Sequence, residues 1–206
     1  MTTLSTLAQR ADSPYITYLN ELHGILKSLA VTDNQGKHID ANRGLEEWCT
    51  IAYETRHTNR SMFFIGNGAS ASMASHMAAD FNKTCGCRAL AFNDIALMTA
   101  VSNDIHYEDC FVLPLTRFAD KGDMLVTISS SGNSPNVTRA IQCARERDLR
   151  IVTISAMKAN NRSRTMGDLN FWIPASTYGL AEAGHQTLLH CWLDTFLEKF
   201  GTNDDI

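Results

Sequence analysis

The stretch MFFIGNGASASMASHMAAD, residues 62–80, sets the reading of the whole chain. Its first four residues, Met62-Phe63-Phe64-Ile65, form the continuous apolar run of a buried strand. Gly66-Asn67-Gly68 ends that run as a tight turn, and from Ala69 onward small unbranched residues favour a helix. A glycine turn between strand and helix leaves main-chain N–H groups free at the positive end of the helix dipole, where an anion can sit. His76 and Asp80 stand four residues apart and so share a face of that helix. An anion loop with two titratable groups on the helix behind it points first to an enzyme.

Outward from this unit, strands and helices alternate. Apolar runs at 88–92, 124–129, 150–155 and 168–173 predict four more strands. Helices are expected over 69–83, from 95 until Ser102-Asn103-Asp104 breaks it, over 107–118 with an interruption at Pro114, over 136–147 and over 180–200, with Asn93-Asp94 capping the second. This pattern predicts a parallel sheet of five strands covered on both faces by helices. Ligands of such sheets bind beyond the carboxyl ends of the strands. The two most unusual loops, after Ile65 and after Ile128, both lie there. Upstream, residues 14–30 and 41–56 carry apolar residues at helical spacing, among them Ile16, Leu19, Leu22, Leu45, Trp48 and Ile51. The polar stretch 31–40 reads as a connection between these two helices. They have no place in a strand–helix–strand repeat and pack either on their own domain or on a partner subunit. The acidic tail 201–206 is expected to fray.

With 206 residues the chain is expected to form a single domain, residues 1–60 being a helical extension and 61–200 the α/β core. A net charge of −4 gives no general attraction to nucleic acid or to anionic lipid, so neither nucleic acid nor a membrane is expected as a partner. No apolar stretch is long enough for a membrane span, and the first residues lack the charged-then-apolar pattern of a signal peptide. The expectation is a cytoplasmic protein. The cysteines, Cys49, Cys85, Cys87, Cys110, Cys143 and Cys191, are then reduced, and Cys85-Gly86-Cys87 is spaced too tightly for a CxxC site.

The second loop reads Ser129-Ser130-Ser131-Gly132-Asn133-Ser134-Pro135-Asn136. Hydroxyls together with the N–H groups of a helix start satisfy a phosphate without lysine or arginine. A serine-rich turn in which Ser134 merely caps the helix is the plainer reading. The loop is neither a Walker loop nor a dinucleotide fingerprint. On the last helix stand Glu182, His185 and His190. Glu182 and His190 meet His76 and Asp80 only if the fold, or another subunit, brings the helices together.

GNGASASMASHMAAD, Ser102-Asn103-Asp104 and SSSGNSPNV together resemble the sugar isomerase (SIS) domain family. Within it, the His76/Asp80 pair and the terminal histidines resemble its phosphoheptose isomerases. The resemblance implies a flavodoxin-like three-layer α/β/α sandwich and a homotetramer whose active sites are lined by more than one subunit. It implies conversion of sedoheptulose 7-phosphate to D-glycero-D-manno-heptose 7-phosphate through an enediol. Asn67, Gly68, Ala69, Asn103, Asp104, Ser129, Ser130, Ser131 and Ser134 would hold the sugar phosphate, joined by Asp80 and Glu182. Asp80 falls on the catalytic glutamate and His190 on the catalytic histidine. Zinc, bound by some members, would be held by His76, Asp80, Glu182 and His190. Three positions depart from the family: Asp80 for glutamate, Glu182 for glutamine and Ala69 for glycine. They leave open another ketose phosphate as substrate. A receptor that only binds a sugar phosphate, or a relative that binds the replication initiator, stands as the non-catalytic alternative.

Overall fold

The computed structural model describes residues 13–201. The first twelve residues, where no signal peptide is read, and the tail beyond Gly201 lie outside the described residues. Seven strands form one sheet: β1 Ala30–Asp33, β2 His38–Ile39, β3 Ser61–Gly66, β4 Arg88–Ala91, β5 Met124–Ser129, β6 Arg150–Ala156 and β7 Leu169–Ile173. Among the described residues seven α-helices accompany them: α1 Pro14–Lys27, α2 Ala41–His57, α3 Ala69–Lys83, α4 Ile95–Asp104, α5 Val112–Phe118, α6 Pro135–Glu146 and α7 Tyr178–Phe200. The strand order is β2-β1-β7-β6-β5-β3-β4.

The five strands expected from the sequence are β3 to β7, and they pair in parallel throughout. Counted from β3, their spatial order is the flavodoxin-like 2-1-3-4-5, whose topological switch point falls between β3 and β5. The sheet is larger than five strands. The stretch read as a polar connection is a hairpin, β1–β2, added antiparallel to β7 with Val31 opposite Phe171. Its turn is built by Asp33, whose Oδ1 accepts the N–H groups of Gln35 and Lys37, both at 2.9 Å, an arrangement that replaces a main-chain turn.

Helices cover both faces. Met62, Phe64, Val126, Ile128, Val152, Ile154 and Phe171 point toward α2, α3 and α7, and Phe63, Ile65, Leu125 and Ile151 toward the α4–α6 side. On the first face Trp192 of α7 stacks between Trp48 of α2, with centroids at 4.0 Å, and Phe81 of α3, at 4.1 Å. These large rings, with no exposed surface, hold α3 and α7 side by side.

The two leading helices behave differently. α2 buries Gly44, Trp48, Cys49, Ile51, Ala52 and Thr55 on its own domain. α1 has no fully buried residue and leaves Tyr15, Ile16, Tyr18 and Leu19 exposed. Two helix boundaries also differ from the sequence reading. Ser102-Asn103-Asp104 forms the last residues of α4 rather than a break before its end. The 107–118 segment divides into a 3₁₀ turn at Tyr107–Asp109 and α5, with Pro114 in the first turn of α5, where its missing N–H costs no helix bond. Asp94 caps α4 as expected, accepting from Leu97 N–H at 2.7 Å. No described helix is long and apolar enough to cross a membrane. All six cysteines are free thiols, and burial pushes those of Cys49, Cys85 and Cys87 up to about 12, which leaves them unreactive.

Candidate functional site

The glycine turn after β3 and the serine loop after β5 lie next to each other because their strands do. Between them is a cavity of about 280 Å³, lined by Asn67, Gly68, Ala69 and Ser70 from the first, by Ile128 to Ser131 and Ser134 from the second, and by Tyr178 and Glu182 of α7. Among the described residues, no lysine or arginine lines it. Two helices open onto it without side-chain caps. Gly68, at φ 57°, is the N-cap of α3 and offers none, and Ser134 occupies the N-cap position of α6 without making the capping hydrogen bond. The reading of Ser134 as a mere cap therefore fails, and its hydroxyl is left for the cavity. The main-chain N–H groups of Gly68, Ala69 and Ser131 have no protein acceptor among the described residues. Unpaired N–H groups at the start of α3 and in the loop before α6, with serine hydroxyls between them, are a chemistry that can hold a phosphate-type anion.

Further along α3 and α7 lies a second group. His76 Nε2 is 3.4 Å from Asp80 Oδ2. The His76 and His190 rings are 5.3 Å apart, edge to face. One ligand atom from each of His76, Asp80 and His190 lies within 4.8 Å of the others. The Trp48–Trp192–Phe81 stack explains the meeting: Asp80 precedes Phe81 and His190 stands two before Trp192, so docking the rings docks the polar groups beside them. Zinc bonds to nitrogen and oxygen of about 2.0–2.1 Å place tetrahedral ligands about 3.4 Å apart. The His76–Asp80 separation already has that value, so the donor set fits such a cation.

Of the other residues singled out from sequence, Glu182 lines the cavity and is not in this group. Asn103 and Asp104 are exposed at the end of α4, bonded to each other at 2.7 Å, and do not line the cavity. The segment that follows them does reach the site: Tyr107 Oη donates to Asn67 Oδ1 at 2.8 Å. Tyr178 and Ser70 line the cavity and were not foreseen. Tyr178 opens α7 two residues before the helix start read from the apolar pattern, at the carboxyl end of another strand, which was the available signal.

His185 is fully buried, and neither ring nitrogen has a hydrogen-bond partner among the described residues. Burial pushes its pKa down from 6.5 to about 4, the neighbouring Ser155 main chain opposing this by less. The folded protein holds it neutral. The unfolded chain takes up a proton at the ordinary value, so the stability this group contributes is complete above pH 6.5 and is lost as pH falls toward 4. A tenfold difference in proton affinity between the folded and unfolded chain corresponds to ~1.4 kcal/mol, so the loss is on the order of 3 kcal/mol. Urea midpoints are expected to fall steadily from pH 6.5 to 4.5, and His185→Met to flatten that limb. An equally steep limb in the variant would assign it to other groups.

The sequence profile described as "SIS domain" matches residues 17–156. A phosphoheptose isomerase of Thermodesulfovibrio yellowstonii is 31% identical over 71% of this chain and 75% of its own length. One of Geobacter sulfurreducens is 35% identical over 66% and 74%. The solved phosphoheptose isomerase of Neisseria gonorrhoeae superposes with a TM-score of 0.73 at 24% identity, covering 88% of this chain and 92% of that one. A profile spanning well over half the chain, relatives at this identity and a shared fold agree: the chain belongs to the SIS domain family, on the side that contains the phosphoheptose isomerases, and is an isomerase.

Proposed function

We propose that this protein interconverts sedoheptulose 7-phosphate and D-glycero-D-manno-heptose 7-phosphate, as a single SIS domain working in a homotetramer. The observation that carries the reading is an uncapped anion cradle at the start of α3, with the His76–Asp80–His190 group further along α3 and α7, the latter also lining the cavity. The interval also suits the substrate. From Ala69 to His76 the helix rises about 10 Å at 1.5 Å per residue, and the Asp80 side chain leans back toward the helix N-terminus. An extended seven-carbon chain covers on the order of 8 Å at about 1.5 Å per bond, so a phosphate in the cradle leaves the far end of the sugar near the carboxylate.

At that end the Asp80 carboxylate takes a proton from C1. The C–H electron pair forms the C1–C2 double bond, and the ketone oxygen receives a proton from His190, giving the enediol. Returning the carbon proton to C2 while His190 accepts the O1 proton yields the aldehyde. A positioned acid or base contributes roughly 10²–10⁴-fold each. His76, Asp80 and His190, with Glu182 as the fourth ligand implied by the family, would hold zinc or another divalent cation. Such an ion supplies Lewis-acid polarisation of the sugar oxygens.

Two features support shared sites. The His76 side chain is 51% exposed and that of Asp80 28%, more open than proton transfer from carbon favours. The exposed Tyr15, Ile16, Tyr18 and Leu19 face of α1 offers apolar surface for a neighbour. Incubation with sedoheptulose 7-phosphate, with the aldose followed by proton NMR and the particle sized by sedimentation, tests the reading. Turnover by a tetramer is expected. Binding without aldose formation would leave a sugar-phosphate receptor, and turnover by a monomer would remove the shared site.

A further inference from the structure

Asn136 lies outside the residues expected to touch substrate, yet it is 1% exposed and joins the two loops of the cavity. Val137 N–H donates to Asn136 Oδ1 at 3.0 Å, which fixes the oxygen end of that amide. The Asn67 amide then faces it as a reciprocal pair: Asn67 Nδ2 donates to Asn136 Oδ1 at 2.9 Å, and Asn136 Nδ2 donates to Asn67 Oδ1 at 2.8 Å. The second Asn136 N–H points to Cys110 Sγ at 3.3 Å. With Tyr107 Oη also donating to it, Asn67 Oδ1 has both acceptor sites filled. Only one N–H of the Asn67 side chain is left for a ligand.

We propose that Asn136 is a positioning residue for the anion cradle, and that Asn67 serves that cradle through its main chain rather than through its amide. Asn67 belongs to the turn whose next two residues, Gly68 and Ala69, present free N–H groups. Asn136 sits in the first turn of α6, immediately after the serine loop. The amide pair is the side-chain bond that ties one loop to the other, so it sets the gap between two sets of donors that must converge on one phosphate. Tyr107 extends the tie to the segment following Asn103 and Asp104. The inference rests on the sugar-phosphate reading of the cavity.

The test is a double-mutant cycle on the full chain, with inorganic phosphate as the probe, its dissociation constant measured by calorimetry and thermal unfolding recorded beside it. Asn67→Ala and Asn136→Ala are each expected to weaken phosphate binding about tenfold, the scale of one main-chain N–H displaced from the charged phosphate when the tie is cut. The double variant is expected to be no weaker than either single one, since both remove the same tie. Asn136→Asp keeps the side-chain volume and serves if the alanine variant does not fold. It loses the donor to Asn67 Oδ1 and is expected to weaken phosphate binding by at least as much. Additive losses, about a hundredfold in the double variant, would mean that the Asn67 side chain binds phosphate on its own account and would overturn the inference. So would an Asn136 variant that melts earlier yet binds phosphate as the unsubstituted protein does. If the unsubstituted protein binds neither phosphate nor sedoheptulose 7-phosphate, the sugar-phosphate reading itself falls, and this inference with it.

Discussion

Asp80→Asn and His190→Gln are each expected to lower turnover of sedoheptulose 7-phosphate by roughly 10²–10⁴-fold while phosphate binding stays within a few-fold of the unsubstituted protein. The separation of effects follows from the placement of the groups. The proposed phosphate cradle lies in the loops at the starts of α3 and α6, whereas Asp80 and His190 stand well along α3 and α7. Both side chains are partly exposed, so substituting them leaves the Trp48–Trp192–Phe81 stack intact and should hardly move the unfolding temperature. Asp80→Asn preserves volume and removes the base; His190→Gln preserves a polar group and removes the proton exchange. Asp80→Glu provides the internal check. It keeps the carboxylate and extends it by about 1.5 Å, restoring the residue type of the family, and is expected to retain far more activity than Asp80→Asn. Unimpaired turnover in either the Asn or the Gln variant would remove that residue from the chemistry.

The parts of this site that could be read in the chain are those written locally. An apolar run followed by Gly66-Asn67-Gly68 specifies strand, turn and helix within a dozen residues, and His76 and Asp80 share a helix face by spacing alone. The meeting of α3 with α7 is different. It depends on Trp48, Phe81 and Trp192 stacking across large sequence separations, and no local pattern announces that three aromatic residues will choose one another. Only the family resemblance anticipated it. The hairpin at 30–39 was missed for a related reason. Ala30-Val31-Thr32-Asp33 is short and ends in polar residues, and becomes a strand because β7 offers it a partner. The Asn34-Gln35-Gly36 turn signal was visible, but a hairpin needs both strands. Asn136 looks like an ordinary helix-start residue; its reciprocal bond to Asn67 joins positions with no sequence relation. Asn103 and Asp104 show the reverse. Their motif is legible, yet among the described residues they are exposed at the end of α4 and do not line the cavity.

The second large effect is expected at Gly132. This residue has φ 61°, a conformation that costs an L side chain about 1–2 kcal/mol. The strain alone would be tolerable. The larger obstacle is Asn161, whose Oδ1 would lie 2.0 Å from an added Cβ and whose Cγ would lie 2.3 Å from it. Asn161 cannot move aside cheaply. It is 2% exposed, its Nδ2 donates to Ser155 Oγ, Ala156 O and Lys158 O, and its Oδ1 accepts Arg164 N–H at 3.1 Å. Gly132 is itself held, donating to Ser129 O at 3.0 Å and accepting from Ser163 N–H at 2.9 Å. In Gly132→Ala the serine loop must therefore shift, carrying Ser130, Ser131 and Ser134 away from the proposed phosphate position. The expected result is a KM for the sugar phosphate raised at least tenfold, together with a loss of stability of more than ~2 kcal/mol, or at least about 4 °C in Tm. Gly36→Ala separates strain from collision. Gly36 also has a positive φ, 76°, but nothing lies within 4 Å of its added Cβ, and it sits in the β1–β2 turn far from the cavity. That variant is expected to lose only about 1–2 kcal/mol and to keep its KM. A Gly132→Ala protein with unchanged KM would show that the serine loop does not hold the phosphate, whatever became of its stability.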